Sequence, residues 1–487
     1  MNSSKYIAFL LFIVSIITIG VSSCKVGPDY VKEDFEKSPP TFRFGEETPD
    51  SVINIKWWEL FNDPSLKAII ETALKNNQDI LIAASRIEEA RAVVGFNKAD
   101  QYPQIFYDGT GSRSAQNVPI LGKSVTFNDF AAVGKLSWEL DFWGKYRRGT
   151  EAARAELVAS QFGQRSLQIE LISEVTQTYF LLQDYKNRLR ISEKTLESRK
   201  ESSRIIEARF EKGIVAEIDL NQAHIQESIA EAAIPFFARL SAQTENALSI
   251  LLGEPPRAFL EEINLRDEIN PPTIPEGIPS EILLRRPDVL EAEQYLAAQT
   301  ARIGVAQAMR LPSISLTGSL GAATSDLSTL GDGSALAWSI GGGIIGPILT
   351  FGKNKRRVEI ERERMKQDSL YYVKTILNTF REVEDALIEV STLKDESAAR
   401  LRQMEAAQNA ASLSSARYDG GVTSYLEVLD SERSKFDAEL SASEIYQLYL
   451  SSYIKLYQAL GGGWLTEQEM QEAQKKEQQE KQNQGNN

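Results

Sequence analysis

The sequence has one cysteine, Cys24, and one histidine, His224, in 487 residues. A lone cysteine excludes an intrachain disulfide, and a lone histidine with no cysteine partner leaves neither a zinc constellation nor a histidine-based triad. His224 lies in a helical run, where a surface or packed residue is the ordinary reading. Basic residues are also scarce, 54 Lys plus Arg against 68 Asp plus Glu, for a formal net charge of -14. A phosphate-binding surface needs the opposite excess, which excludes nucleic acid as a partner. Past the N-terminus no stretch approaches the roughly 18 consecutive apolar residues of a spanning helix. Any later membrane crossing has to be made by strands. Gly341, Gly342 and Gly343 precede no helix opening with Lys-Ser or Lys-Thr, so they form no phosphate loop. No enzyme, metal centre or cofactor site is expected, and no Met-rich or His-rich patch marks a metal route.

The N-terminus is specific. Lys5, an apolar run from Tyr6 to Val21 and the small residues Ser22 and Ser23 precede Cys24, which reads as a signal peptide over 1–23. Cys24 sits where signal peptidase II cuts lipoproteins. More than one acyl chain on that cysteine would anchor the mature chain stably, and Lys25 rather than an aspartate after it favours the outer membrane.

The chain is one unit written twice. Arg209-Phe210-Glu211-Lys212-Gly213 returns as Arg417-Tyr418-Asp419-Gly420-Gly421. At the same shift Trp143-Gly144-Lys145 matches Phe351-Gly352-Lys353, and Leu252-Gly253 matches Leu460-Gly461. In each copy an Ala-rich helical stretch, 78–101 and 287–310, ends at a proline-marked turn and gives way to two-residue alternation. Ala132, Gly134, Leu136, Trp138, Leu140 and Phe142 alternate with Lys135, Ser137, Glu139 and Asp141; Ile314, Leu316 and Leu320 alternate with Ser313, Ser315, Thr317 and Ser319. One face suits lipid and the other water. A soluble half-buried sheet shares this pattern, but the lipoprotein signal and the tryptophans near strand ends, Trp138, Trp143 and Trp338, favour a membrane sheet anchored by aromatics.

About four strands are expected, near 104–115, 128–142, 313–323 and 335–347. Open edges are not tolerated in hydrocarbon, and bacterial barrels have at least about 8 strands. Several chains must therefore share a barrel, and three copies would supply about 12 strands. After each hairpin a proline-free helical stretch follows, 145–211 and 353–418, roughly 100 Å long at about 1.5 Å per residue. Val175, Leu182, Leu189 and Leu196 recur in heptads, flanked by Leu171, Thr178 and Tyr185. The second copy offers Val373, Phe380 and Leu387 with Ile376, Val383 and Val390, and both read as coiled-coil seams.

Six spaced stretches carry a family resemblance: Cys24-Lys25-Val26-Gly27-Pro28-Asp29-Tyr30, Trp57-Trp58-Glu59-Leu60-Phe61, Leu140-Asp141-Phe142-Trp143-Gly144-Lys145, Ala232-Ala233-Ile234-Pro235, Leu251-Leu252-Gly253-Glu254-Pro255-Pro256 and Leu284-Arg285-Arg286-Pro287-Asp288. In them the chain resembles the outer-membrane factors of tripartite efflux systems, TolC-like ducts of the lipoprotein branch called NodT-like. The resemblance implies a mainly α homotrimer with a 12-stranded membrane β-barrel, a coiled-coil helical tunnel across the periplasm and a mixed equatorial belt. It implies export of small molecules such as drugs, received from an inner-membrane RND-type pump through a periplasmic adaptor, and contact with outer-membrane lipid. A type I protein-secretion exit is the nearer rival, and a non-conducting coiled-coil lipoprotein the other.

The domain reading is a lipidated segment 24–56, a first repeat 57–253, an inter-repeat linker 254–286 with its run Pro271-Pro272-Thr273-Ile274-Pro275, a second repeat 287–464 and a disordered tail 465–487. The resemblance places a periplasmic gate around Gly420-Gly421, with Tyr418, Glu427, Asp430 and Arg433 closing or lining it. Local alternatives stay open. Ser424 and Glu427 have capping-box spacing, and Asp430 with Arg433 is also an exposed i, i+3 pair. The first-repeat matches of Tyr418, Asp430 and Arg433 are Phe210, Gln222 and Ile225, so that acid and that base occur in the second copy only.

Overall fold

The computed structural model describes residues 25–32, 61, 63–259, 265 and 286–462. The signal peptide, Cys24, most of the Trp57–Phe61 stretch, the proline-rich linker and the tail lie outside them. The first repeat runs α1 (Pro64–Asn76), α2 (Gln78–Ala99), β1 (Gln104–Val118), β2 (Lys123–Leu140), α3 (Lys145–Glu211) and α4 (Glu217–Leu251). The second runs α5 (Pro287–Ala308), β3 (Ser313–Thr324), β4 (Leu336–Ile345), α6 (Lys353–Asp419) and α7 (Tyr425–Ala459). Helices α3 and α6 each have 67 residues, and α4 and α7 each have 35. The sequence repeat is thus a structural one. No described helix is long and apolar enough to cross a membrane.

By contacts the chain forms two compact units, and each draws on both repeats. The first, with Ser85–Phe162 and Leu290–Lys374, holds the sheet, in the order β1-β2-β3-β4 with every neighbour antiparallel. The first hairpin is longer than the expected 104–115 and 128–142, because pairing continues through Asn117↔Ser124 to Val118↔Lys123. In that outer part the alternation inverts, with Ser124, Thr126 and Asn128 on the face that is apolar farther in and Val125 and Phe127 on the other, so the inner pattern ends before the hydrogen bonds do. Strand β2 ends at Leu140 rather than 142, because the Asp141 carboxylate accepts the Tyr146 and Arg147 amides at 3.0 and 2.8 Å and so starts α3. The fourth strand is likewise trimmed, from 335–347 to 336–345. Helices α2 and α5 end two residues short of the expected 101 and 310, and α6 runs one residue past 418.

The second unit, with Gly163–Val289 and Thr375 onward, has its core where α1 packs on the long helices: Leu66, Ile70, Val175, Phe180, Leu182, Leu248, Leu450 and Leu456 are all buried. Phe61 meets Phe180 edge-on at 5.3 Å, which explains the aromatic end of its motif. Asp63 caps α1 and also accepts the Tyr179 hydroxyl at 2.8 Å. The heptad seams are partly displaced. Val175 and Leu182 are buried, but farther along α3 the buried positions are Ser192, Arg199, Ser203 and Ile206, with Leu189 and Leu196 half-buried. On α6 the flanking Ile376, Val383 and Val390 take the seam. Ser192, Arg199 and Ile206, like Ile376, Val383 and Val390, still recur at intervals of seven, so the heptad persists and the seam passes to its flanking positions.

The two repeats close by equivalent bonds. The Asn77 amide donates to the Leu251 carbonyl at 3.0 Å, and the Arg286 guanidinium donates to the Ala459 carbonyl at 2.6 Å. Each ties the start of one helix to the orphan carbonyls at the end of another. Arg286 also pairs with Asp288 at 2.7 Å and Glu382 at 2.9 Å, which accounts for the Arg-Pro-Asp stretch.

The membrane sheet and the helical tip

Antiparallel register sorts the sheet residues onto two faces. One face carries Ile105, Tyr107, Leu136, Trp138, Leu140, Ile314, Leu316, Leu320, Trp338, Ile340 and Ile344, with small residues Ala132, Gly134, Gly318 and Gly342 between them. Tyr107 is 97% exposed and Ile340 84%, so none of the described residues covers them. The other face carries Asp108, Lys135, Ser137, Glu139, Ser315, Thr317, Ser319 and Ser339, with Phe106, Val125, Phe127, Val133 and Ile345 among its apolar exceptions. On it Lys135 pairs with Asp108 at 2.9 Å and Ser319 bonds Ser339 at 2.8 Å.

Along β2 the apolar face runs from Phe130 to Leu140, about the 9–11 residues that a tilted strand needs to cross a bilayer. Beyond Phe130 the same face bears Asn128, Thr126 and Ser124 opposite Arg113, Ala115 and Asn117, so the hairpin continues past the end of the apolar band. Trp138 and Trp143 stand at the other end of that band. Their indole N–H groups donate to the Gln101 and Pro312 carbonyls at 3.0 and 2.6 Å. Trp338 lies opposite Leu320 and is 69% exposed.

In the second unit the turns after α3 and α6 have the same build. Gly213 and Gly421 adopt φ of 68° and 70°, and Ile214 and Val422 donate back to the Arg209 and Arg417 carbonyls, each at 2.9 Å. This left-handed glycine cap turns each chain into the next helix. Around the second turn Tyr418 stacks obliquely on Tyr425 at 5.4 Å. The Arg209 guanidinium lies 4.9 Å above the Tyr418 ring and 3.6 Å from Asp419. Tyr425 is buried with Ile206, Ala223, Val428 and Leu429; that burial pushes its phenol up to about 12.

The capping-box alternative at Ser424 is not what forms. Its hydroxyl makes no cap bond, and the Glu427 carboxylate instead accepts the Thr423 hydroxyl and lies 3.3 Å from Arg417. Asp430 and Arg433 form a 2.5 Å pair that stays 65% and 60% exposed. Arg209 and Arg417, marked in the sequence only as landmarks of the repeat, and Tyr425 were not among the expected gate residues. The signal for Tyr425 was its repeat partner, Glu217, since an aromatic replaces a charge at the first residue of the helix. His224 is exposed on α4, and no group of three metal-ligating side chains occurs among the described residues.

The family model for outer membrane efflux proteins matches residues 69–254 and 278–462. The cation efflux system protein CusC of Escherichia coli strain K12 is 34% identical over 92% of this chain and 98% of its own length. The antibiotic efflux pump outer membrane protein ArpC of Pseudomonas putida is 32% identical over 91% of this chain and 93% of its own. The solved structure of the Campylobacter jejuni CmeC outer membrane channel superposes with a TM-score of 0.83 at 27% identity, covering 93% of this chain and 98% of that one. A repeated helix–hairpin–helix chain with an uncovered apolar membrane sheet, matched along nearly its whole length, belongs to the outer membrane efflux protein family and is a TolC-like efflux channel of the outer membrane.

Proposed function

We propose that three copies of this chain close one barrel of about 12 strands and pass solutes outward without transforming them. The observation that carries this is the sheet. Strands β1 and β4 are its two edges, each paired on one side only, and a face of exposed apolar residues runs across all four strands. An edge in hydrocarbon leaves backbone groups unpaired at several kcal/mol each, so the edges of separate copies must meet.

The duct would be the outer-membrane part of a tripartite system, fed by an inner-membrane RND-type pump through a periplasmic adaptor. Its solutes would be small molecules such as drugs, or cations, since the relatives are named for antibiotic and for cation efflux, with the pump making most of the choice. Cys24 would carry the lipid anchor, Trp138, Trp143 and Trp338 would sit at the membrane borders, and Tyr418, Glu427, Asp430 and Arg433 would hold or line the closed tip. Light scattering of the detergent-solubilised protein tests the assembly. A trimer that conducts in a planar bilayer is expected; a stable monomer overturns the shared barrel.

A further inference from the structure

The segment that follows Cys24 is fastened in place by one side chain of α3. Arg148 is only 1% exposed, and its guanidinium donates from Nε to the Val26 carbonyl at 3.1 Å and from Nη2 to the Gly27 carbonyl at 2.9 Å. Its Nη1 meets Asp29 at 2.9 Å and Glu151 at 3.2 Å. Lys25 closes the ring with contacts of 3.0 Å to Asp29 and 2.8 Å to Glu151. The hydrogen bond from Lys25, and then the charge of Arg148, hold the exposed Asp29 carboxyl below the usual carboxylate range.

The backbone fit is as specific as the charges. Gly27 adopts φ of +103°, and a Cβ there would lie 2.4 Å from the Gly304 Cα on α5. A Cβ on Gly304 would in turn come within 2.8 Å of both Arg148 Nε and the Val26 carbonyl. Two glycines in contact let the segment drop onto the helices while the guanidinium satisfies its carbonyls. At one end the Val26 amide donates to the Trp143 carbonyl at 3.2 Å. At the other, Tyr30 and Lys32 reach the nearly buried Glu293 at 3.2 and 3.0 Å.

We propose that Arg148, Gly304 and Glu293 form a docking seat for the first residues of the mature chain. Arg148 is its positioning residue, fixing the chain end beside Trp143, where β2 gives way to α3. The seat needs a Lys-x-Gly-x-Asp ligand: a glycine for the close approach, an acid for the guanidinium and a base for Glu151. That the chain end carries acyl chains rests on the lipoprotein reading of Cys24. One peptide bond, about 3.8 Å between Cα atoms, separates Cys24 from Lys25, so the seat confines the anchor to this one rim.

Trypsin cleavage after Lys25 in the full-length trimer reads the seat directly, because the scissile bond must leave the Trp143 carbonyl before it can be cut. The parent should resist. Gly27→Ala and Asp29→Asn change only the segment and should raise the cleavage rate about tenfold while the thermal transition of the trimer stays unchanged. Arg148→Gln should be cleaved faster still, and Arg148→Lys, which keeps the charge but cannot serve two carbonyls and two carboxylates at once, should rescue it in part. Parent-like cleavage in Gly27→Ala and Asp29→Asn overturns the seat. The mass of the released Cys24-Lys25 dipeptide reports separately on acylation, so an unmodified dipeptide sinks the lipid reading and leaves the seat to be judged by the rates.

Discussion

Tyr418, Tyr425 and Arg209 show how one substitution between repeats reshapes a turn that both copies build alike. With Glu217 in the first copy the helix opens on a charge; with Tyr425 in the second it opens on a buried ring, which Tyr418 and Arg209 then cover. The Tyr425 phenol therefore ionises late. An acid whose folded value lies above its unfolded value of about 10 costs nothing below that pH and loses stability as pH rises from about 10 to about 12. In an absorbance titration at alkaline pH, Tyr425→Phe should remove one tyrosine from the late phase; loss from the early phase would contradict the burial. The gate residues are tested alongside it. Tyr418→Phe keeps the ring beneath Arg209, so combined with Arg433→Ala it should leave a folded trimer whose single-channel conductance rises. Asp430→Asn should weaken cation selectivity, because three-fold symmetry would gather the carboxylates into an acidic ring. Parent-like conductance and selectivity in assembled trimers would return Asp430 and Arg433 to a plain surface pair.

Between elements, the positive-φ glycines separate conformational demand from steric demand. Gly213 and Gly421 face open space, so alanine there carries only the left-handed backbone cost, roughly 1–2 kcal/mol. Gly253 has φ of +69° as well, but a Cβ would lie 2.3 Å from the Asn76 carbonyl oxygen, which is backbone and has little room to move. Its alanine variant should lower the thermal midpoint well beyond either tip variant. Equal effects at the three sites would show that packing at the α4 terminus contributes nothing. The same comparison explains why the motif Leu252-Gly253 recurs as Leu460-Gly461: in both copies a helix end must approach the start of another closely enough for Asn77 or Arg286 to bond its last carbonyls.

For the whole assembly, neighbouring residues of β4 should behave oppositely. Ile340 belongs to the exposed apolar face, where an arginine near mid-membrane costs about 2–4 kcal/mol. Ser339 faces the other way, bonded to Ser319 among polar residues. Ile340→Arg should reduce the fraction of folded trimer recovered from liposomes, whereas Ser339→Arg should assemble normally and shift ion selectivity. Equal tolerance at both positions would mean that the sheet does not meet lipid on the face proposed.

Local chemistry determined much of this protein from its sequence alone: two copies, four strands with a wet and a dry face, proline-free helices and glycine turns at matching places. Each of these is set by residue period or by backbone φ, and both are properties of adjacent residues. The tertiary structure decided what depends on partners distant in the chain. The outer part of the first hairpin reverses the polarity of its two faces, Val125 and Phe127 against Ser124 and Thr126, and is held by its register, so the inner alternation did not extend to it. The seam along α3 and α6 kept the seven-residue interval but passed to its flanking positions, because the neighbouring helices decide which of two adjacent heptad rows is buried. Nothing in the residues beside Arg148 in the chain marks it apart. Its acceptors are carbonyls of Val26 and Gly27, far away in the chain, and a carbonyl leaves no trace in residue identity.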